Sequence, residues 1–403
     1  MSLLHALDGL TVLDLGTFIA APFAAGLLAE FGADVIKVEQ PGIGDPIRDL
    51  GTKVGGRALF WALEGRGRRS ITCNLRLPRG QELALELIRR SDVVIENFRP
   101  GTLERWNLGY ERMRAANPGV ILLRISAFGQ TGPYAGRPGF GRIAQAFGGL
   151  TYLAGYPDRP PVLPGSATLA DYAAGLYGAL AVLAAKQYRD RTGRGQVIDV
   201  SLFESIFRFT DYLALAYDTL GVVRERTGTQ AHAAPHNHYP TADGKWIAIA
   251  CTSDRIFQRL ATAIRAHDPE QPDWSADPGF DTMEKRVARR EEVDARVAAW
   301  TRRFTLAELR ARLDAAEVPN SPIYSIADIF EDPQYRARWT LVPVDDPVLG
   351  TVRVPAPVPR LSKTPTRRLS PAPELGQHNE EIYCGMLGLS AAELAELRAA
   401  GVV

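Results

Sequence analysis

Leu10-Thr-Val-Leu-Asp-Leu-Gly16, then Pro22-Phe-Ala-Ala-Gly-Leu-Leu-Ala-Glu-Phe31, then Asp34-Val-Ile-Lys-Val-Glu39 is the stretch whose reading decides the fold. Thr11–Leu15 is a short apolar run of strand length, and Pro22–Phe31 is rich in Ala and Leu, as a helix is. Asp34–Val38 is a second apolar run, closed by Glu39 and the breaker-rich stretch from Pro41 to Pro46. Strand, helix and strand in quick succession make a βαβ unit, and such units pair their strands in parallel.

The pattern continues outward. Gln81–Arg90 has helical periodicity, Val93–Ile95 is strand-like and Val120–Ser126 is another strand. The alternation predicts an α/β fold, a Rossmann-like parallel sheet with ligand sites at the carboxyl ends of its strands. Gln130 to Gly141 is dense in Gly and Pro and reads as loop. Thr168 to Tyr188 reads as a long helix, with Thr168 and Asp171 spaced as a capping box. Gln196–Val200 reads as a strand and Ser201 to about Leu220 as a further helix.

A polar break from Arg224 to His236 marks a boundary. Residues 1–224 are expected to form the large domain and 225–330 a smaller α+β domain. Residues 331–403 are expected to return to the large domain as an extended segment with a C-terminal helix. In the smaller domain, Tyr239-Pro-Thr-Ala-Asp-Gly-Lys245 is a turn between strands and Trp246–Cys251 is the second of them. Helices are expected over Arg255–Ala266, Arg286–Phe304 and Leu306–Ala316, the last capped by Thr305. The Pro-rich run from Val342 to Pro373 reads as extended, and Ala391–Ala400 as the last helix.

Composition narrows the function. The 403 residues are 46% hydrophobic and 23% charged, and Lys+Arg 47 against Asp+Glu 46 leaves a net charge of +1. That balance argues against whole-surface attraction to nucleic acid or membrane. Cys73, Cys251 and Cys384 are far apart and odd in number, so neither a disulfide framework nor a zinc site is expected. Met1 to Gly9 lacks the basic and apolar pattern of a signal peptide, and the apolar run near Ala173 to Ala185 is too short to span a bilayer. A reducing, cytoplasmic setting is expected.

Several features carry candidate chemistry. The first βαβ unit invites a dinucleotide reading, but Gly16-Thr-Phe-Ile-Ala-Ala21 lacks the required G-x-G-x-x-G. Gly139-x-Gly141-x-x-Ala144 fits a relaxed form of that pattern yet follows a loop rather than a strand. The basic cluster Arg66, Arg68, Arg69, Arg76 and Arg79, with Arg99 and Arg105 nearby, is either a solvated face or a patch for phosphate oxygens. Asn97-Phe98-Arg99-Pro100-Gly101 follows a strand directly, at the end where α/β proteins bind ligands. Asp171 reads either as a capping residue or as a functional carboxylate. His232, His236 and His238 cluster, and without a carboxylate at ligand spacing they suggest an anion or substrate contact more than a metal.

Taken in order, these segments resemble the class III CoA-transferase family, also called the formyl-CoA transferase or carnitine CoA-transferase family. The matching text runs from Leu10-Thr-Val-Leu-Asp-Leu through Gly32-Ala-Asp-Val-Ile-Lys-Val-Glu, Asn97-Phe-Arg-Pro-Gly and Gly129-Gln-Thr-Gly-Pro-Tyr. It continues through Asp171-Tyr-Ala-Ala-Gly, Gly193-Arg-Gly-Gln, Tyr239-Pro-Thr-Ala-Asp-Gly and Gly376-Gln-His-Asn-Glu-Glu to Leu397-Arg-Ala-Ala-Gly-Val. The resemblance implies a catalytic carboxylate at Asp171 and an interlocked homodimer, its two chains threaded like linked rings. It implies CoA contacts at Phe18, Ile19 and Ala20, at Gln40, and at Cys73, Asn74, Leu75 and Arg76. Further contacts fall at Asn97, Phe98, Arg99 and Arg105, and at Arg137, Pro138, Gly139 and Phe140. Gln40 stands where some members have an arginine, and Gly141 where many have an acid.

The implied reaction moves coenzyme A from an acyl-CoA to a carboxylic acid through an aspartyl-CoA thioester. No cofactor or metal is implied, because coenzyme A is itself a substrate. A short dicarboxylate of the succinate, malate, citramalate or mesaconate type is the expected acid, with His232, His236 and His238 as substrate contacts. The nearest rival, a 2-methylacyl-CoA racemase, carries a histidine where this chain has Phe140, and phenylalanine cannot take an α-proton. A non-catalytic acyl-CoA-binding protein is the alternative of another class.

Overall fold

The computed structural model describes residues 5–267, 273–274 and 276–403. The first four positions of the opening segment read for a signal peptide lie outside them. The chain forms two compact units. The first comprises Met1–Tyr152, Leu163–Arg224 and Trp339–Val403, and the second Leu153–Val162 and Glu225–Arg338.

The first unit is built on six parallel strands: β1 (Thr11–Asp14), β2 (Asp34–Glu39), β3 (Arg68–Thr72), β4 (Val93–Glu96), β5 (Ile121–Ser126) and β6 (Val197–Ser201). Their spatial order is β3-β2-β1-β4-β5-β6. This is the doubly wound order, in which the winding reverses between β1 and β4 and opens a crevice at the strands' carboxyl ends. Leu13 lies opposite Ile36 on β2 and Val94 on β4. Side chains alternate across the sheet: Val12, Val35 and Val93 pack with helices α1 (Ala20–Glu30) and α4 (Leu169–Thr192). Leu13, Ile36 and Val94 pack on the other face with α2 (Pro78–Arg89) and the C-terminal helix α9 (Ala391–Ala399).

Helices α1 and α4 approach closely because Gly175 has no side chain. A Cβ there would stand 2.8 Å from both the Ala20 carbonyl oxygen and the Phe23 ring. That close crossing brings the start of α4, and with it Asp171, to the exit of β1.

The structure corrects several local expectations. Arg68–Thr72 is a strand, although its arginines read as a surface patch; Arg68 is buried and ion-paired to Asp14 at 3.5 Å. The capping box at the start of α4 does not form, because the Thr168 hydroxyl pairs with Ser166 Oγ at 2.8 Å instead. The single helix expected after Ser201 is two, α5 (Leu202–Phe207) and Leu213–Leu220, separated where Asp211 takes a left-handed backbone. The Pro-rich return holds an antiparallel hairpin, β10 (Leu341–Asp346) with β11 (Gly350–Pro355).

The C-terminal return also covers the outer edge of β3. His378 N–H donates to the Ser70 carbonyl at 2.9 Å, Asn379 Oδ1 accepts from Thr72 N–H at 2.9 Å, and Tyr383 Oη donates to the Thr72 carbonyl at 2.7 Å. An edge strand so paired offers no free ladder to another chain.

The second unit is an antiparallel sheet of β7 (His236–Pro240), β8 (Trp246–Ala250) and β9 (Asn320–Pro322), ordered β9-β8-β7. Tyr239, Ile247 and Ile249 pack against α6 (Asp254–His267), α7 (Arg290–Thr301) and α8 (Leu306–Ala315). The helix expected over Arg286–Phe304 is broken between Met283–Ala288 and α7. Among the described residues, no helix is long and apolar enough to cross a membrane.

Candidate active site

The crevice at the strand exits is a cleft of about 240 Å³. Thr17 and Phe18 follow β1, Asn97 to Pro100 follow β4, Ser126 ends β5 and Ala127 follows it. The Gly/Pro loop adds Arg137 to Phe140, and α4 adds Asp171. Ten of the residues implied by the resemblance therefore meet in one place: Phe18, Ala20, Asn97, Phe98, Arg99, Arg137, Pro138, Gly139, Phe140 and Asp171.

The others do not line this cleft. Ile19 is buried in a small core with Ile47 and Trp61. Cys73 and Leu75 are buried in the larger core, and burial pushes the Cys73 thiol up to about 12. Gln40 follows β2, where its carbonyl closes a turn by accepting from Gly44 N–H at 2.8 Å. Asn74 Oδ1 accepts from the backbone N–H of Arg76, whose side chain is exposed. Arg105 is exposed and donates to Thr102 Oγ1 at 2.8 Å.

The basic cluster is mostly spoken for by the protein itself. Arg69 pairs with Asp34 and Glu381, Arg79 with Glu82, and Arg66 Nε donates to the Leu63 carbonyl. His232, His236 and His238 belong to the second unit, where His236 and His238 line a cleft of about 340 Å³ with Asn237 and Asn320.

Asp171 lies in the first turn of α4, a 24-residue helix whose dipole favours an anion at this end. Its surroundings oppose that. Burial pushes the carboxyl up from the ordinary aspartate value of 3.8 to about 7, and the hydrogen bond from its own backbone N–H pulls the other way. Gly141, the first residue of α3 (Gly141–Phe147), packs directly on the carboxylate: a Cβ there would overlap Asp171 Oδ2 and stand 2.6 Å from the Ala167 carbonyl oxygen. Phe140 stacks edge-on with Phe18 at 5.9 Å, joining the Gly/Pro loop to the β1 exit.

The raised value has a definite sign for stability. A folded-state value above the unfolded one gives a contribution intact below about pH 4 and lost as pH rises through about 7. The melting temperature of Asp171→Asn, relative to wild type, is therefore expected to climb between about pH 4 and about pH 7 and to level off above that. A difference that stays flat across that range, measured by calorimetry, would refute the desolvated carboxylate.

Two features of the site escaped the sequence reading. Ser126, at the last position of β5, lines the cleft and its buried Oγ has no hydrogen-bond partner among the described residues. Strand-exit logic could have found it. Asp45 fixes the backbone of Phe18 from outside the cleft, through an N–H···Oδ1 bond of 2.9 Å, and no motif signals that contact.

The fold and the cleft define a doubly wound α/β protein with its ligand site at the sheet's switch point. The chain belongs to CoA-transferase family III, whose family model matches residues 7–379, and it is an enzyme of that class. It is similar to the succinyl-CoA–L-malate CoA-transferase alpha subunit of Chloroflexus aurantiacus, 44% identical over 98% of this chain and 92% of the relative. The succinyl-CoA–D-citramalate CoA-transferase of the same organism is also 44% identical, over 98% of both chains. Among solved structures, a CAIB/BAIF family protein from Brucella suis superposes with a TM-score of 0.83 at 36% identity, over 95% of this chain and all of that one.

Proposed function

We propose that the enzyme moves coenzyme A from a short acyl-CoA to a short dicarboxylic acid, with Asp171 as the group that carries the acyl and then the thiol. The carrying observation is a desolvated carboxylate, Asp171, in a cleft at the switch point of a CoA-transferase fold. With much of its hydration removed, a carboxylate is a stronger nucleophile than in solution.

The cycle balances without a cofactor. The Asp171 carboxylate attacks the thioester carbonyl and expels the CoA thiolate, leaving a mixed anhydride. The thiolate then attacks the Asp171 acyl carbon, releasing the donor acid and leaving an aspartyl-CoA thioester. The acceptor carboxylate attacks that thioester and expels the thiolate again, and the thiolate takes the acceptor's acyl group, freeing Asp171. Each tetrahedral intermediate needs hydrogen-bond donors, for which Ser126 Oγ is available in the cleft.

A short acid is supported by size and charge. At about 240 Å³ the cleft falls below the ~300–1,000 Å³ of drug-sized pockets. It suits an acyl chain of a few carbons, with the bulk of the carrier outside. Arg99 and Arg137 border it and suit a second carboxylate. The relatives named for malate and citramalate support the same class. Phe140, in the place of a proton-transferring base, argues against α-proton chemistry. Incubating the enzyme with a panel of acyl-CoA donors and acid acceptors, read by mass, tests the proposal. Succinyl-CoA with four-carbon and five-carbon dicarboxylates is expected to give the fastest exchange, and preference for a long-chain monocarboxylate would overturn the substrate class.

The working form is proposed to be an interlocked dimer of two copies. The chain leaves Leu176 and Leu180 on α4 and Tyr212, Leu215 and Leu220 after it well exposed, large apolar side chains that a partner copy would cover. Light scattering is expected to give twice the mass of 44.0 kDa. Leu180→Glu with Leu215→Glu is expected to lower that mass or the yield of soluble protein. A wild-type monomer would rule the dimer out.

A further inference from the structure

We propose that Lys37 and Asp45, buried and outside the cleft, are positioning residues of the acyl-CoA site: together they hold the loop after β1 in the conformation that turns the Phe18 ring into the cleft. The inference rests on the reading of this cleft as the acyl-CoA site.

The loop Gly16-Thr17-Phe18 is fixed at every successive peptide group by side chains from elsewhere. Gly16 N–H donates to Asp14 Oδ1 at 3.0 Å, and the Gly16 carbonyl accepts from Lys37 Nζ. Thr17 N–H donates to Asn97 Oδ1 at 2.8 Å, and its carbonyl accepts from Asn97 Nδ2 at 2.7 Å. Phe18 N–H donates to Asp45 Oδ1 at 2.9 Å. Phe18 itself has φ +60°, a left-handed backbone that a bulky side chain disfavours and that persists only where the surroundings impose it.

What imposes it is ionic. Lys37 Nζ lies 2.8 Å from Asp45 Oδ2 and 3.6 Å from Asp14 Oδ2, and all three side chains are essentially inaccessible to water. Asp45 is held in turn, its N–H donating to Glu39 Oε2 at 2.9 Å. A buried ion pair is a poor device for stability, since apolar residues of similar size usually serve as well. Its charges here are spent on direction. The ammonium binds the Gly16 carbonyl while orienting Asp45, and Asp45 binds the Phe18 amide, so one pair sets both ends of the loop. The ring so placed lines the cleft and meets Phe140.

The role separates from plain stability by its kinetic signature. Loss of loop geometry weakens binding of the CoA ester, whereas loss of stability removes active molecules and leaves the Michaelis constant alone. For Asp45→Ala the Michaelis constant for succinyl-CoA and the dissociation constant for free coenzyme A are both expected to rise at least about tenfold, with turnover within about threefold of wild type. Asp45→Asn keeps one oxygen for the Phe18 amide but not the charge, and a rise of about three- to fivefold is expected. Should Asp45→Ala fail to accumulate as folded protein, Asp45→Asn alone decides. Wild-type constants in whichever variant folds overturn the proposal. Wild-type enzyme that binds neither coenzyme A nor succinyl-CoA by calorimetry would instead overturn the reading of the cleft.

Discussion

Asp171→Ala is expected to lose at least about 10³-fold in transfer, because on the proposed mechanism it removes the covalent nucleophile and with it both halves of the reaction. Binding of coenzyme A should persist. The structure also reverses a simple expectation about folding. Asp171 completes no capping box, and burial disfavours its charged form, so alanine removes only the bond to the residue's own backbone N–H. At about pH 8 the variant is expected to match wild type or exceed it by on the order of 2 kcal/mol, after allowance for partial exposure. The covalent step is read directly: acyl-CoA without acceptor should leave an adduct on the peptide containing Asp171, which hydroxylamine intercepts as the hydroxamate. Transfer without any such adduct would sink the mechanism while leaving the family untouched.

Gly141→Ala should be nearly as damaging, although Gly141 has no left-handed backbone and alanine is ordinarily the better helix residue. The methyl group would overlap Asp171 Oδ2 and crowd the Ala167 carbonyl oxygen, so the carboxylate or the start of α3 must move. A displacement of about 1 Å at a reacting group can lower turnover about 10²-fold. That is the expected loss, with the Michaelis constant for the CoA ester little changed and adduct formation slowed in parallel. Wild-type turnover would show that the carboxylate works from a different position.

The doubly wound sheet was legible because its central strands are mainly apolar runs, with Asp14 and Lys37 the buried charges inside them: Val12 to Leu15, Asp34 to Val38, Val93 to Ile95. β3 was not, because Arg68-Arg-Ser-Ile-Thr72 looks polar until Asp14 and Lys37 are seen to share its burial. The same cause hid the device behind Phe18. Pairings such as Lys37 with Asp45 depend on which strands are neighbours, and neither spacing nor composition carries that information. The strand-exit residues Asn97, Phe98 and Arg99 were legible, since motif and position in the unit coincide. Cys73 to Arg76 were placed near the ligand by resemblance alone, and the structure turns Cys73 and Leu75 inward.

The strap across β3 has a consequence for how the chain is made. Ser70 and Thr72 emerge from the ribosome early, whereas their partners His378, Asn379 and Tyr383 come last. Until then the nascent sheet presents an open strand flank, the feature by which unfinished chains pair with the wrong neighbour. Synthesis therefore leaves that flank unpaired while the 307 residues that separate Thr72 from Asn379 are still being added.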